Sequence, residues 1–248
     1  MSSRRFAVLK TGNGSEFVQK TYGGFDKMSE NLLEEDGEEW VVYSVMDGDF
    51  SFENEIDTFA GFVITGSPAD AHADDDWVLK LCEVLRVLNQ KKKKVLGICF
   101  GHQVLARALG GKTGRSDVGW EIGLKQVHLD TELVSKVFNV QLPPTVNVLV
   151  SHRDQVSCVP PGALILGSSK KTKIEMFSIG DHVLGLQYHP EFFKDVVLDI
   201  IHNLLTTNML DDGTANKAIQ SVKENDPHQE QLKGLCKAFL KGPTIKEV

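Results

Sequence analysis

The chain has 248 residues, of which 41% are hydrophobic and 25% charged, and its formal net charge is −7. That balance allows a sizeable core and excludes a chain disordered throughout. The acidic surplus argues against a nucleic-acid or anionic-membrane binder.

Four cysteines, at 82, 99, 158 and 236, form no C-x-x-C pair, which suits a reducing compartment better than a disulfide scaffold or a zinc site. The N-terminus lacks the apolar stretch of a signal peptide, and no run approaches the roughly 18 apolar residues of a membrane span. A cytosolic protein is expected.

In chain order, residues 6–9 read as a first strand, followed by helical stretches over 16–22, which Ser15 caps, and over 26–35. Residues 40–45 are β-branched and aromatic and make a second strand, 52–59 a short helical link, and 61–65 a third strand, apolar on both faces. Residues 77–90 carry apolar side chains at 78, 81, 84, 85 and 88, the spacing of a helix lying on a sheet. Residues 95–98 form a further strand and 103–109 a helix. This alternation predicts an α/β fold: a three-layer, doubly wound, mostly parallel open sheet with helices on both faces. Beyond Gly110-Gly111, short β-like segments near 120–128, 146–151, 163–168, 174–179 and 182–188 predict a β-hairpin extension and a returning strand, interrupted by a helical piece at 131–137. A core helix over 192–205 follows. Residues 211–231 are polar and weakly patterned, and 232–240 form a terminal helix. The expected division is therefore a catalytic domain over 1–205 and a polar, partly helical tail over 206–248.

The chemistry centres on Gly97-Ile98-Cys99-Phe100-Gly101-His102-Gln103, where a cysteine stands between glycines at a strand-to-helix turn. Glycine permits the sharp backbone and close approach of neighbouring chain, and a helix N-terminus favours negative charge at that point. A buried packing cysteine is the ordinary alternative. A nucleophile needs a base, and the base needs an orienting group. His189-Pro190-Glu191 ends an apolar strand and offers both, two residues apart and on one side of an extended chain. Standing alone, it would equally read as a surface turn before a helix. Gly66-Ser67-Pro68 ends the strand expected beside that of Cys99, so a backbone N–H from there, with that of Phe100, is placed to form an oxyanion hole. A plain turn would satisfy the same three residues.

Together these motifs resemble the class I glutamine amidotransferases, with their G-x-C-x-G-x-Q elbow, later H-P-E and glycine-rich oxyanion strand. The resemblance spans about residues 6–205 and implies a doubly wound sheet and attack of cysteine on a γ-glutamyl amide. It makes Cys99 the nucleophile, His189 the base and acid, Glu191 the orienting carboxylate, and the Phe100 and Ser67 N–H groups, beside Gly66, the oxyanion donors. Ser67 stands where the family usually has a second glycine, and its Cβ restricts a backbone flip, so a preformed hole is expected. Gln103, and Ser151, His152 and Asp154 of the Ser151-His152-Arg153-Asp154 stretch, are implied to line the substrate pocket; a polar strand-end turn is the equal alternative for the latter.

The sequence also resembles the stand-alone plant γ-glutamyl peptidases, through residues 15–25, Asp75-Asp76-Trp77 and the elbow. That resemblance implies hydrolysis of glutathione and its S-conjugates, including those leading to glucosinolates, with no cofactor, metal or synthase partner. A glutaminase subunit feeding ammonia to a synthase, or a non-catalytic metabolite-binding protein on the same scaffold, are the alternatives.

Overall fold

A computed structural model describes residues 4–242. The parallel strands are β1 (Arg4–Lys10), β2 (Glu38–Ser44), β3 (Phe59–Ile64), β4 (Lys94–Ile98) and, far along the chain, β11 (Val183–Leu186). They lie in the order β2-β1-β3-β4-β11. The same sheet continues antiparallel through β10 (Met176–Ile179), β9 (Leu164–Ser168), β6 (Glu121–Leu129) and β7 (Thr145–His152), giving nine strands. The hairpins read beyond Gly111 thus extend the main sheet in line. Only β5 (Lys112–Arg115) and β8 (Asp154–Cys158) pair apart, as a two-stranded antiparallel ribbon.

Alternation along the central strands sorts the core into two faces. Phe62, Ile64 and Val95 pack with α3 (Asp76–Gln90) and α4 (Phe100–Ala108). Val63, Leu96, Ile98, Leu184 and Leu186 point the other way, against α5 (Thr131–Phe138) and α8 (Gln229–Lys241). A third cluster joins α1 (Glu16–Tyr22), α2 (Phe25–Leu33), α6 (Lys194–Thr206) and α7 (Asp212–Glu224) to β6 and β7. Ser15 caps α1, its side chain accepting from the Val18 N–H. Residues 52–59 fall largely in a 3-10 helix, Ser51–Thr58.

The segment read as weakly patterned, 211–231, is mostly the helix α7, capped by the Asp211 side chain on the Thr214 N–H. Its buried stripe is Ala215, Ala218 and Val222. Two alanines and a valine give little hydrophobic signal, although Ala218 sits so close to Gly123 of β6 that a Cβ on the glycine would come within 3.0 Å of the alanine backbone. Beyond it, Leu232, Leu235, Cys236, Phe239 and Leu240 of α8 are buried against the sheet. Both helices after residue 206 therefore help to build the core.

Candidate active site

The elbow is built by close packing. A Cβ on Gly97 would come within 2.5 Å of the Gly101 backbone, and one on Gly101 within 2.6 Å of the Ile64 carbonyl oxygen. The two glycines let α4 fold back onto β4 and press against β3. Cys99, wedged between them, adopts φ 52° and ψ −99°, a conformation that costs a side-chain-bearing residue about 1–3 kcal/mol and is held only by its surroundings. Its N–H donates to the Leu186 carbonyl at 2.8 Å, tying the elbow to β11.

β11 then leads into His189. The His189 N–H donates to the Leu149 carbonyl of β7 at 2.9 Å, fixing the chain beyond the strand end. Its Nδ1 lies 2.7 Å from Glu191 Oε1, and its ring stacks on Phe192 with centroids 3.8 Å apart. The Cys99 sulfur lies near enough to bear on the charge of the imidazole. Burial disfavours the imidazolium, but the charges on Glu191 and on the Cys99 sulfur, with the hydrogen bonds to both, outweigh it and raise His189 to about 10. Cys99, His189 and Glu191 are all buried, so the three groups interact with little solvent screening. The tail reaches this point: Gln229 Nε2 donates to the carbonyls of Pro190 and Phe192 at 3.4 and 3.1 Å, bracketing Glu191.

Gly66 faces the same space; a Cβ there would lie 2.9 Å from His189 Cε1. The Gly66–Ser67 peptide is anchored from behind. The Gly66 carbonyl accepts at 3.2 Å from the hydroxyl pair Thr11 and Thr65, the Thr11 hydroxyl also reaching the Thr65 carbonyl at 2.9 Å, while Ser67 Oγ donates to the Thr11 carbonyl at 2.6 Å and accepts from the Ala69 N–H at 3.1 Å. Phe100 opens α4, where N–H groups lack intrahelical acceptors.

The other residues expected to line a pocket form a linked set beside Cys99. The Ser151 carbonyl lies 3.9 Å from Cys99 Sγ. His152 is buried and its Nδ1 pairs with the Asp154 carbonyl at 3.0 Å; burial, with the nearby His189 charge, pushes it down to about 3. Gln103 Nε2 donates to the same Asp154 carbonyl at 2.9 Å and to Gln187 Oε1 at 3.1 Å. The Asp154 carboxylate forms an ion pair with Arg115 at 2.5 Å and lies 3.5 Å from His72 Nδ1, and Arg115 also holds Asp70 at 2.7 Å. Burial and the neighbouring Asp70 charge raise Asp154, opposed by Arg115. Ligand-type atoms of Asp70, His72 and Asp154 lie within 4.8 Å of one another. The Arg115 guanidinium already supplies positive charge to both carboxylates. These pairs join the loop beyond β3 to β5 and β8, forming one rim of the site.

Three contributors escape sequence reasoning. Gln187 Nε2 lies 3.6 Å from Cys99 Sγ; its signal was a polar residue in a wholly buried strand end, two positions before His189. Thr11 and Gln229 carry no local motif, because each matters through a partner far along the chain.

The sequence model of the class-I glutamine amidotransferases matches residues 22–199. The chain belongs to the class-I glutamine amidotransferase family. Among these amidotransferases, a crystal structure from Thermotoga maritima superposes with a TM-score of 0.74 at 21% identity, covering 97% of each chain. One from Methylobacillus flagellatus gives 0.68 at 17% identity, covering 98% of this chain and 95% of that one. At that identity they establish the fold. In sequence, the chain is 42% identical over 242 residues to gamma-glutamyl peptidase 3 of Arabidopsis thaliana, covering 96% of this chain and 97% of the relative. It is 40% identical over 241 residues to gamma-glutamyl peptidase 5 of the same plant, covering 96% of each. Among the described residues no helix is long and apolar enough to cross a membrane.

Proposed function

We propose that this chain hydrolyses γ-glutamyl amide bonds by cysteine-dependent acyl transfer, with glutathione and its S-conjugates as substrates. The observation that carries the reading is the buried Cys99–His189–Glu191 arrangement in a chain some 40% identical, end to end, to gamma-glutamyl peptidases. Consumption of conjugates in sulfur secondary metabolism of the glucosinolate type, in a reducing cytosol, is the proposed setting; the four cysteines are free thiols.

Cys99 is the nucleophile. At neutral pH His189 already holds the thiol proton as an imidazolium, stabilised by Glu191, whose carboxylate accepts from Nδ1–H. The sulfur attacks the γ-carbonyl carbon, and the oxygen becomes an anion facing the Phe100 and Ser67 N–H groups. His189 then protonates the departing amine as the C–N bond breaks, leaving a γ-glutamyl thioester. Water, deprotonated by the same histidine, attacks the thioester and releases glutamate with the thiolate. Support for a hole formed before substrate arrives comes from the Thr11 and Thr65 hydroxyls: they hold the Gly66 carbonyl, and in a planar trans peptide the Ser67 N–H must point the opposite way. Gln103, Ser151, His152 and Asp154 line the γ-glutamyl pocket, with the Arg115–Asp154–Asp70 rim beside the leaving group.

The test is glutamate release by the pure protein. The reading expects turnover of glutathione and S-substituted glutathione, lost in Cys99→Ala, without any added partner. Turnover of glutamine alone, rising when a synthase is supplied, would contradict it in favour of a glutaminase subunit.

A further inference from the structure

We infer that Gln187 is a positioning residue for the nucleophile, and that Gln103 decides which end of the Gln187 carboxamide meets the sulfur. The inference rests on Cys99 being the nucleophile, as proposed above. Gln187 is fully buried in the segment joining β11 to His189, and its N–H donates to the Glu175 carbonyl at 2.8 Å, so its backbone is fixed. A buried primary amide is costly unless hydrogen-bonded, and this one has two ends of opposite polarity. Turned one way it presents N–H to the sulfur; turned the other, it sets an oxygen lone pair against an anion.

The surrounding bonds select the first orientation. The Asp154 main-chain carbonyl is an obligate acceptor, so the group that Gln103 turns towards it at 2.9 Å must be its NH2. That same nitrogen reaches Gln187 at 3.1 Å and needs an acceptor there, which is Oε1. Gln187 Nε2 is then left facing Cys99 Sγ at 3.6 Å. The relay therefore runs in one direction, from a carbonyl of β8 through two buried carboxamides, and ends as a donor on the sulfur. A donor there stabilises negative charge on sulfur twice: before attack, and when the thioester breaks and sulfur departs. It does so with no contact to the substrate.

The test compares wild type with Gln187→Met and Gln103→Met, all in a Cys158→Ser background that removes the exposed thiol, by kinetics on glutathione and by the rate of Cys99 alkylation by iodoacetamide at neutral pH. Gln187→Met is expected to lower kcat and the alkylation rate about ten- to hundredfold with KM little changed, the loss expected for a hydrogen bond to a charged group. Gln103→Met is expected to shift both rates in the same direction by less. An unchanged alkylation rate in Gln187→Met overturns the inference, as does a change confined to KM. Should that variant not fold, the side-chain amide resonances of Gln187 in the otherwise unaltered protein decide the matter. They are expected to move on Cys99→Ala, and resonances that stay put overturn the inference. Loss of turnover in Cys99→Ala alongside a silent Gln187→Met rejects this inference alone, whereas turnover surviving Cys99→Ala rejects the nucleophile assignment and this inference together.

Discussion

The Thr11 and Thr65 hydroxyls, 3.0 Å apart, both face the Gly66 carbonyl at 3.2 Å, so this threonine pair just beyond β1 and β3 sets the orientation of the peptide whose N–H belongs to Ser67. Thr11→Val combined with Thr65→Val removes both donors while keeping shape. With the peptide free to turn, kcat on glutathione is expected to fall about ten- to hundredfold at near-constant KM, a loss of the order seen on weakening one oxyanion donor. Thr11→Ser keeps the hydroxyl and is expected to stay within a few-fold of wild type. Equal rates in the double valine variant and wild type would show that this peptide needs no such anchor.

Gly66 is under a different constraint. A methyl group there meets His189 Cε1 at 2.9 Å, closer than real Cβ contacts, and the imidazole is already sandwiched against Phe192. Gly66→Ala should displace the ring from between Cys99 and Glu191 and lower kcat at least a hundredfold. Circular dichroism and thermal melting should remain close to wild type. Near-normal turnover in a folded Gly66→Ala protein would place the histidine's working position elsewhere.

The fold and the surroundings of Cys99 were legible to different degrees, for physical reasons. The parallel strands announce themselves because strands buried on both faces must be continuously apolar, as 61–65 and 95–98 are. Cys99 was legible because Gly97 and Gly101 are demanded by contacts of 2.5 and 2.6 Å. The stripe on α7 was not, since alanines pack without a strong apolar signal. Nor were Thr11, Gln187 and Gln229: a hydrogen bond between residues 55, 88 or 39 positions apart leaves no local pattern.

The His189 charge links activity to stability. Its value in the folded chain, about 10, lies above the ordinary 6.5, so the folded state holds the proton more tightly than the unfolded one. The stabilisation is fully present below about pH 6.5 and is lost as pH rises through 10. Glu191→Gln removes the main charge that sustains it. The melting temperature of wild type is expected to fall more steeply from pH 7 to 10 than that of Glu191→Gln. Parallel curves would mean that the pair contributes no such linkage.

The last helix bears on both core and site. Leu235 is fully buried against the sheet, and Gln229 of the same helix brackets Glu191. Leu235→Ala is expected to destabilise the chain by about 2–5 kcal/mol in urea unfolding. Gln229→Ala should cost less stability, about 1 kcal/mol, while lowering kcat a few-fold. A chain ending near residue 206 that kept wild-type stability would contradict this packing.

The most direct test is intact-protein mass spectrometry of a reaction with glutathione, quenched in acid within the first turnovers. The acyl-transfer account expects one glutamyl group on the protein, mapped to Cys99, released on further incubation and absent from Cys99→Ala. Steady hydrolysis with no glutamyl adduct on Cys99, or with turnover retained in Cys99→Ala, would contradict it.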